Sequence, residues 1–128
     1  RLTTDPHGPQ TALDAHRYSY CALTLYGDIS CWGRDDGNQV TDTPAPSPDV
    51  YTEVSTGGNQ NCAIDIDGDI SCWGSDVLQG ITDAPLAGSD IYTQIASGPE
   101  HVCAVGLSGD ISCWGGGDTF GEVSNTPS

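Results

Sequence analysis

Gly27-Asp28-Ile29-Ser30-Cys31-Trp32-Gly33 recurs unchanged at residues 68–74 and again at 109–115. Outward from this heptapeptide the repetition continues. Cys21, Cys62 and Cys103 precede Cys31, Cys72 and Cys113, and each series steps by 41 residues, as do Trp32, Trp73 and Trp114. Tyr51-Thr52-Glu53-Val54 matches Tyr92-Thr93-Gln94-Ile95, and Gln10-Thr11-Ala12-Leu13 is a weaker copy one period earlier. Gly57 and Gly98 also align. A fixed period of this size marks an array of supersecondary units.

Each unit reads as short strands. Runs rich in Val, Ile, Thr and Tyr alternate with clusters of Gly, Asp, Pro and Asn. The clearest element is a hairpin, with strands at 20–25 and 28–32 and a turn at Tyr26-Gly27. Its copies turn at Asp67-Gly68 and Ser108-Gly109, where Gly admits the positive φ that a tight turn requires. Further strands are expected at 11–13, 51–55 and 92–96, one ahead of each hairpin. The stretch 43–49, with Pro44, Pro46 and Pro48, reads as loop or polyproline. In the first hairpin Cys21, Leu23, Ile29 and Cys31 share one face, and Ala22, Ser30 and Trp32 share the other. Both faces are apolar or small, as in a sheet held between neighbouring sheets. The expected fold is all-β: three propeller-type blades in an open arc, completed by self-association. Residues 1–9 read as an N-terminal extension, and 10–128 as repeats at about 10–50, 51–91 and 92–128.

Composition removes several function classes. The chain has 128 residues, 18 Asp+Glu against 3 Lys+Arg, and a formal net charge of -15. Nucleic acid is excluded as a partner, because phosphate binding needs clustered cations and only Arg1, Arg17 and Arg34 are present. No apolar run approaches the roughly 18 residues of a membrane span. The chain starts at Arg1 without an initiator Met or a cleavable apolar segment, which reads as a processed product. Six cysteines in a short acidic chain point to an oxidising compartment, and so to a secreted, extracellular or cell-surface protein.

The pattern C-A-[LIV]-x-x-x-G-D-I-S-C-W-G, with its upstream strand and glycine bend, resembles the regulator-of-chromosome-condensation repeat, most closely its cysteine-bearing bacterial secreted form. The resemblance covers residues 10–128 and implies β-propeller blades. Members of that family close rings of about seven blades, whereas this chain holds three repeats. The basic surfaces of chromatin-binding relatives are missing, so nucleotide exchange and chromatin binding are not carried over.

The hairpin also orders the cysteines. With a three-residue loop at 25–27, Thr24 faces Asp28 and Cys21 faces Cys31, and opposed strand residues bring Cβ atoms within disulfide reach. The pairs Cys21–Cys31, Cys62–Cys72 and Cys103–Cys113 follow from the repeat. Zinc or free buried thiols are the alternatives, and zinc is disfavoured because the histidines do not repeat in phase. The tryptophans read as wedges between adjacent blades.

Little else points to chemistry. Asp65, Asp67 and Asp69 resemble the start of a calcium loop, and calcium is the one cofactor the sequence raises. The competing reading is a polar hairpin turn, because only the last Asp recurs in the other repeats. No nucleophile elbow or phosphate loop occurs, and the expectation is a non-enzyme. The function expected is a structural protein that self-assembles through its blade ends into a fibre, tube or ring, its partner being itself. The alternative is a propeller module that recognises another protein or a glycan. The assembly contact is expected to join Leu13, Leu23 and Trp32 at one end to Val105, Ile111 and Trp114 at the other.

Overall fold

The computed structural model describes residues 10–16, 19–35, 40, 43–44, 50–57, 60–74, 85, 88, 90–98 and 101–115. The expected extension at 1–9, the prolines at 46 and 48 and everything beyond Gly115 lie outside the described residues.

Among the described residues nine strands form three antiparallel sheets, each a meander of three. The first blade is β1 (Gln10–His16), β2 (Ser19–Thr24) and β3 (Ile29–Gly33). The second is β4 (Tyr51–Thr56), β5 (Gln60–Asp65) and β6 (Ile70–Gly74). The third is β7 (Tyr92–Ser97), β8 (His101–Gly106) and β9 (Ile111–Gly115). Among the described residues there is no helix.

The hairpins follow from their turns. Thr24 N–H donates to the Asp28 carbonyl, so three residues remain in the loop, and the last of them, Gly27, has φ +85°. Gly68 and Gly109 take the same role at φ +85° and +96°. The turn sets the register, and Cys21 pairs with Cys31, Cys62 with Cys72 and Cys103 with Cys113. These are the close, non-hydrogen-bonded positions of an antiparallel ladder, with Cα atoms 4.0–4.1 Å apart, and all three disulfides form there.

The first strand of each blade carries one irregularity, at Gln10/Ala12, Tyr51/Glu53 and Tyr92/Gln94. The extra residue is a threonine each time. The Thr52 and Thr93 hydroxyls donate to the carbonyls of Ile64 and Val105 at 3.2 Å, tying the bulge to the neighbouring strand. β1 reaches His16, further than the expected 11–13, because Asp14, Ala15 and His16 all find partners on β2. Pairing overrides the weak strand preference of these residues.

The core lies between blades rather than within one. Cys21, Leu23 and Ile29 of the first blade meet Tyr51, Ala63 and Trp73 of the second. Cys62 and Ile64 of the second meet Tyr92, Val102, Ala104 and Trp114 of the third. Strand alternation makes this possible: at each junction the Trp face of one blade lies on the Cys face of the blade before it.

Candidate interaction surfaces

The junction between blades is built twice, with the same parts. Trp73 and Trp114 are buried against the disulfide-bearing face of the preceding blade. The Tyr51 and Tyr92 N–H groups donate to the Gly27 and Gly68 carbonyls, at 3.0 Å each. A Cβ on Gly27 would meet Val50, and one on Gly68 would meet Ile91, so the next blade sits directly on each turn. Acids join the first strands. Asp14 Oδ2 accepts from the Thr56 N–H at 2.7 Å and its hydroxyl at 3.3 Å, and Glu53 Oε1 accepts from the Ile95 N–H at 3.3 Å. Neither position keeps its acid a period later, Asp14 being followed by Ser55 and Glu53 by Gln94, so the repetition does not mark them as acids.

At each end of the arc half of this junction stands open. On the first blade Trp32 is 39% exposed, where Trp73 and Trp114 are 6% and 5%. Its ring stacks on Tyr20, with centroids 5.7 Å apart and planes 17° from parallel. Leu13, opposite Ala22, lies on this same face and is exposed. On the third blade Val105, Ile111, Cys103 and Cys113 are only half-buried, although the first-blade counterparts of Val105 and Ile111, Leu23 and Ile29, are in the core. Gly109 has nothing within 4 Å of its would-be Cβ.

Of the six residues expected at the assembly contact, Leu13 and Trp32 lie on one outer face, and Val105 and Ile111 on the other. Leu23 and Trp114 are a correction. Leu23 is 2% exposed inside the first junction, and Trp114 is buried inside the second. The period-two alternation that turns Trp32 outward turns Leu23 inward, and the reverse holds at the third blade. Tyr20 belongs on the outer face in place of Leu23. It departs from Asn61 and Val102, its fully buried counterparts.

Asp65, Asp67 and Asp69 form a turn. Asp65 Oδ1 accepts from the N–H groups of Asp67 and Asp69 at 2.9 and 3.0 Å. The Thr24 hydroxyl does the same for Tyr26 and Asp28 in the first blade. Asp69 Oδ1 accepts from the Gly88 N–H. Among the described residues no group of three His, Cys, Asp or Glu side chains is placed to hold a metal ion. A cleft of about 270 Å³ lies among β1, β4 and β7, and among the described residues Asp14, bonded to Thr56, is the one ionisable side chain lining it.

No protein-family model and no curated protein matches the chain. Solved structures do. The ectodomain of the receptor kinase CR4 from Physcomitrella patens matches at a TM-score of 0.70 and 22% identity, over 89% of this chain and 32% of that one. Human WBSCR16 matches at 0.73 and 19%, over 90% and 35%. Prp20p from Saccharomyces cerevisiae, a structure described with its binding to Gsp1p and histones, matches at 0.72 and 18%, over 86% and 34%. The chain spans about a third of each. Yeast RCC1 (Prp20) is also known with Kap60 bound. The resemblance read from the repeat is thus met at the level of fold: the described residues form three disulfide-bearing blades, and the likenesses show that their fold is that of a β-propeller.

Proposed function

We propose that the chain is the blade array of an extracellular protein-binding propeller, and that further copies complete its arc end to end. One observation carries this: the two outer faces are the two halves of a junction that the molecule builds twice inside itself. Trp32 would enter the Val105–Ile111 face of a neighbour as Trp73 enters the Leu23–Ile29 face. The Gly109 carbonyl would take the Gln10 N–H, as Gly27 and Gly68 take those of Tyr51 and Tyr92. Gln94, one period after Glu53, would accept from the Leu13 N–H. Covering two apolar faces is favourable in water. Three disulfides and the ectodomain neighbours support an extracellular setting. The propeller neighbours with Kap60, Gsp1p and histones support protein binding. The role is non-enzymatic, and in support the one acid among the described residues lining the cleft, Asp14, is engaged by Thr56.

Sedimentation velocity across the micromolar range, in moderate salt, tests the assembly. The native chain is expected to sediment faster as concentration rises, and Trp32→Asp and Val105→Asp to stay monomeric with native circular dichroism. A native chain that remains a monomer, or variants that assemble as it does, would overturn the end-to-end contact.

A further inference from the structure

Besides the sheet faces of the blade junctions, the described residues present another surface: the edge of the arc where the β2–β3, β5–β6 and β8–β9 turns emerge. Leu25, Ile66 and Leu107 occupy one turn position a period apart, and they are 62%, 69% and 67% exposed. Turn positions favour polar residues and glycine, so three aliphatic side chains there in phase need a reason other than local structure. Val50 and Ile91, leading into β4 and β7, continue the row and are also exposed. Backbone bonds join them to it: the Ile66 N–H donates to the Val50 carbonyl at 2.8 Å, and the Leu107 N–H to that of Ile91 at 2.7 Å. Across the junctions the Gly27 turn of the first blade abuts Val50 of the second, and the Gly68 turn of the second abuts Ile91 of the third, so the row runs from blade to blade. An exposed apolar strip of this kind marks a contact surface.

The charge around the row indicates its partner. Asp28, Asp65, Asp67, Asp69, Asp90 and Asp110 all belong to these turns or to the strand starts beside them. None of the described residues at this edge is Lys, Arg or His. Arg34, after β3, and His101, opening β8, stand at the opposite edge. The spacing indicates its shape. Stacked sheets lie about 10 Å apart, so successive anchors step by roughly that distance. An α-helix rises about 10.5 Å in seven residues. We infer that this edge docks a basic amphipathic helix of another protein, its apolar residues on the Leu25–Ile66–Leu107 row and its Lys or Arg side chains against the flanking aspartates. Docking here leaves the outer blade faces free, so it holds whether or not copies join end to end.

Three synthetic probes test it by fluorescence anisotropy on the full chain: a Leu/Lys amphipathic helix, a Leu/Glu helix of the same pattern, and oligolysine. The Leu/Lys helix is expected to bind and the Leu/Glu helix not. Replacing Leu25, Ile66 and Leu107 together by Ser is expected to weaken the Leu/Lys helix about tenfold or more while leaving oligolysine unchanged. Leu107→Ser alone, at the open end, repeats the comparison should the triple variant not fold. Equal binding of the Leu/Lys helix to native and Ser variants would reduce the effect to net charge and overturn the inference. Binding of the Leu/Glu helix as tight as that of its Lys counterpart would overturn it as well.

Discussion

Asp65 and Thr24 hold the same office one period apart. Each offers a side-chain oxygen to two N–H groups of its hairpin turn, and this local bonding is what makes Asp and Thr turn residues. In the third blade Gly106 stands at that position, and the Ser108 hydroxyl and Asp110 bond within the turn instead. Asp65→Ala is therefore expected to lower stability by about 1 kcal/mol, and Asp65→Thr to retain most of it, as read from urea midpoints without added calcium. A calcium site would show differently. Calcium would then raise the melting temperature of the native chain beyond sodium chloride of equal ionic strength, and Asp65→Thr would abolish that excess.

At the scale of elements the hairpin is the unit that carries stability. Each disulfide closes a loop of the same sequence separation, 10 residues, so the chain-entropy contribution is the same for all three, about 2–3 kcal/mol. Their surroundings differ. Cys62 is fully buried and packs with Val102 and Trp114, while Cys103 is half-buried on an outer face. Replacing Cys62 and Cys72 by Ala is expected to cost about 1–2 kcal/mol more than replacing Cys103 and Cys113, because only the former also removes core contacts. Urea denaturation of the two double variants, at a concentration where the native chain is monomeric, measures the difference. Equal losses would mean that the bridges act through chain entropy alone.

At the scale of the whole molecule the governing quantity is charge. A net charge of -15 puts like charges within a Debye length of one another on a small body, and Asp28, Asp65, Asp67, Asp69, Asp90 and Asp110 crowd one edge of it. Salt screens that repulsion, with a Debye length near 10 Å at 0.1 M and about 3 Å at 1 M. The melting temperature is expected to rise with sodium chloride, as should the tendency of copies to associate. A melting temperature that stays flat from low to high ionic strength would show that repulsion does not limit stability.

The sequence alone settles whatever is local to one repeat. A three-residue loop ending in glycine dictates the hairpin register, the register pairs the cysteines, and the period of two divides Cys21 and Leu23 from Ala22 and Trp32. All of this was readable because each rule spans no more than a dozen residues and is written three times. Even the bulge had a signal, in the threonines at 11, 52 and 93. The tertiary structure alone decides which faces are covered. Leu23 and Trp114 are buried and Trp32 is exposed because a blade lies on one side of each sheet and not on the other, which no residue encodes by itself. Asp14 and Glu53 bond to strands some 42 residues away, outside any local pattern and from positions that are not in phase with each other. The apolar turn row exists as a surface only once three blades stand side by side, because each of its side chains, taken alone, is an ordinary exposed residue.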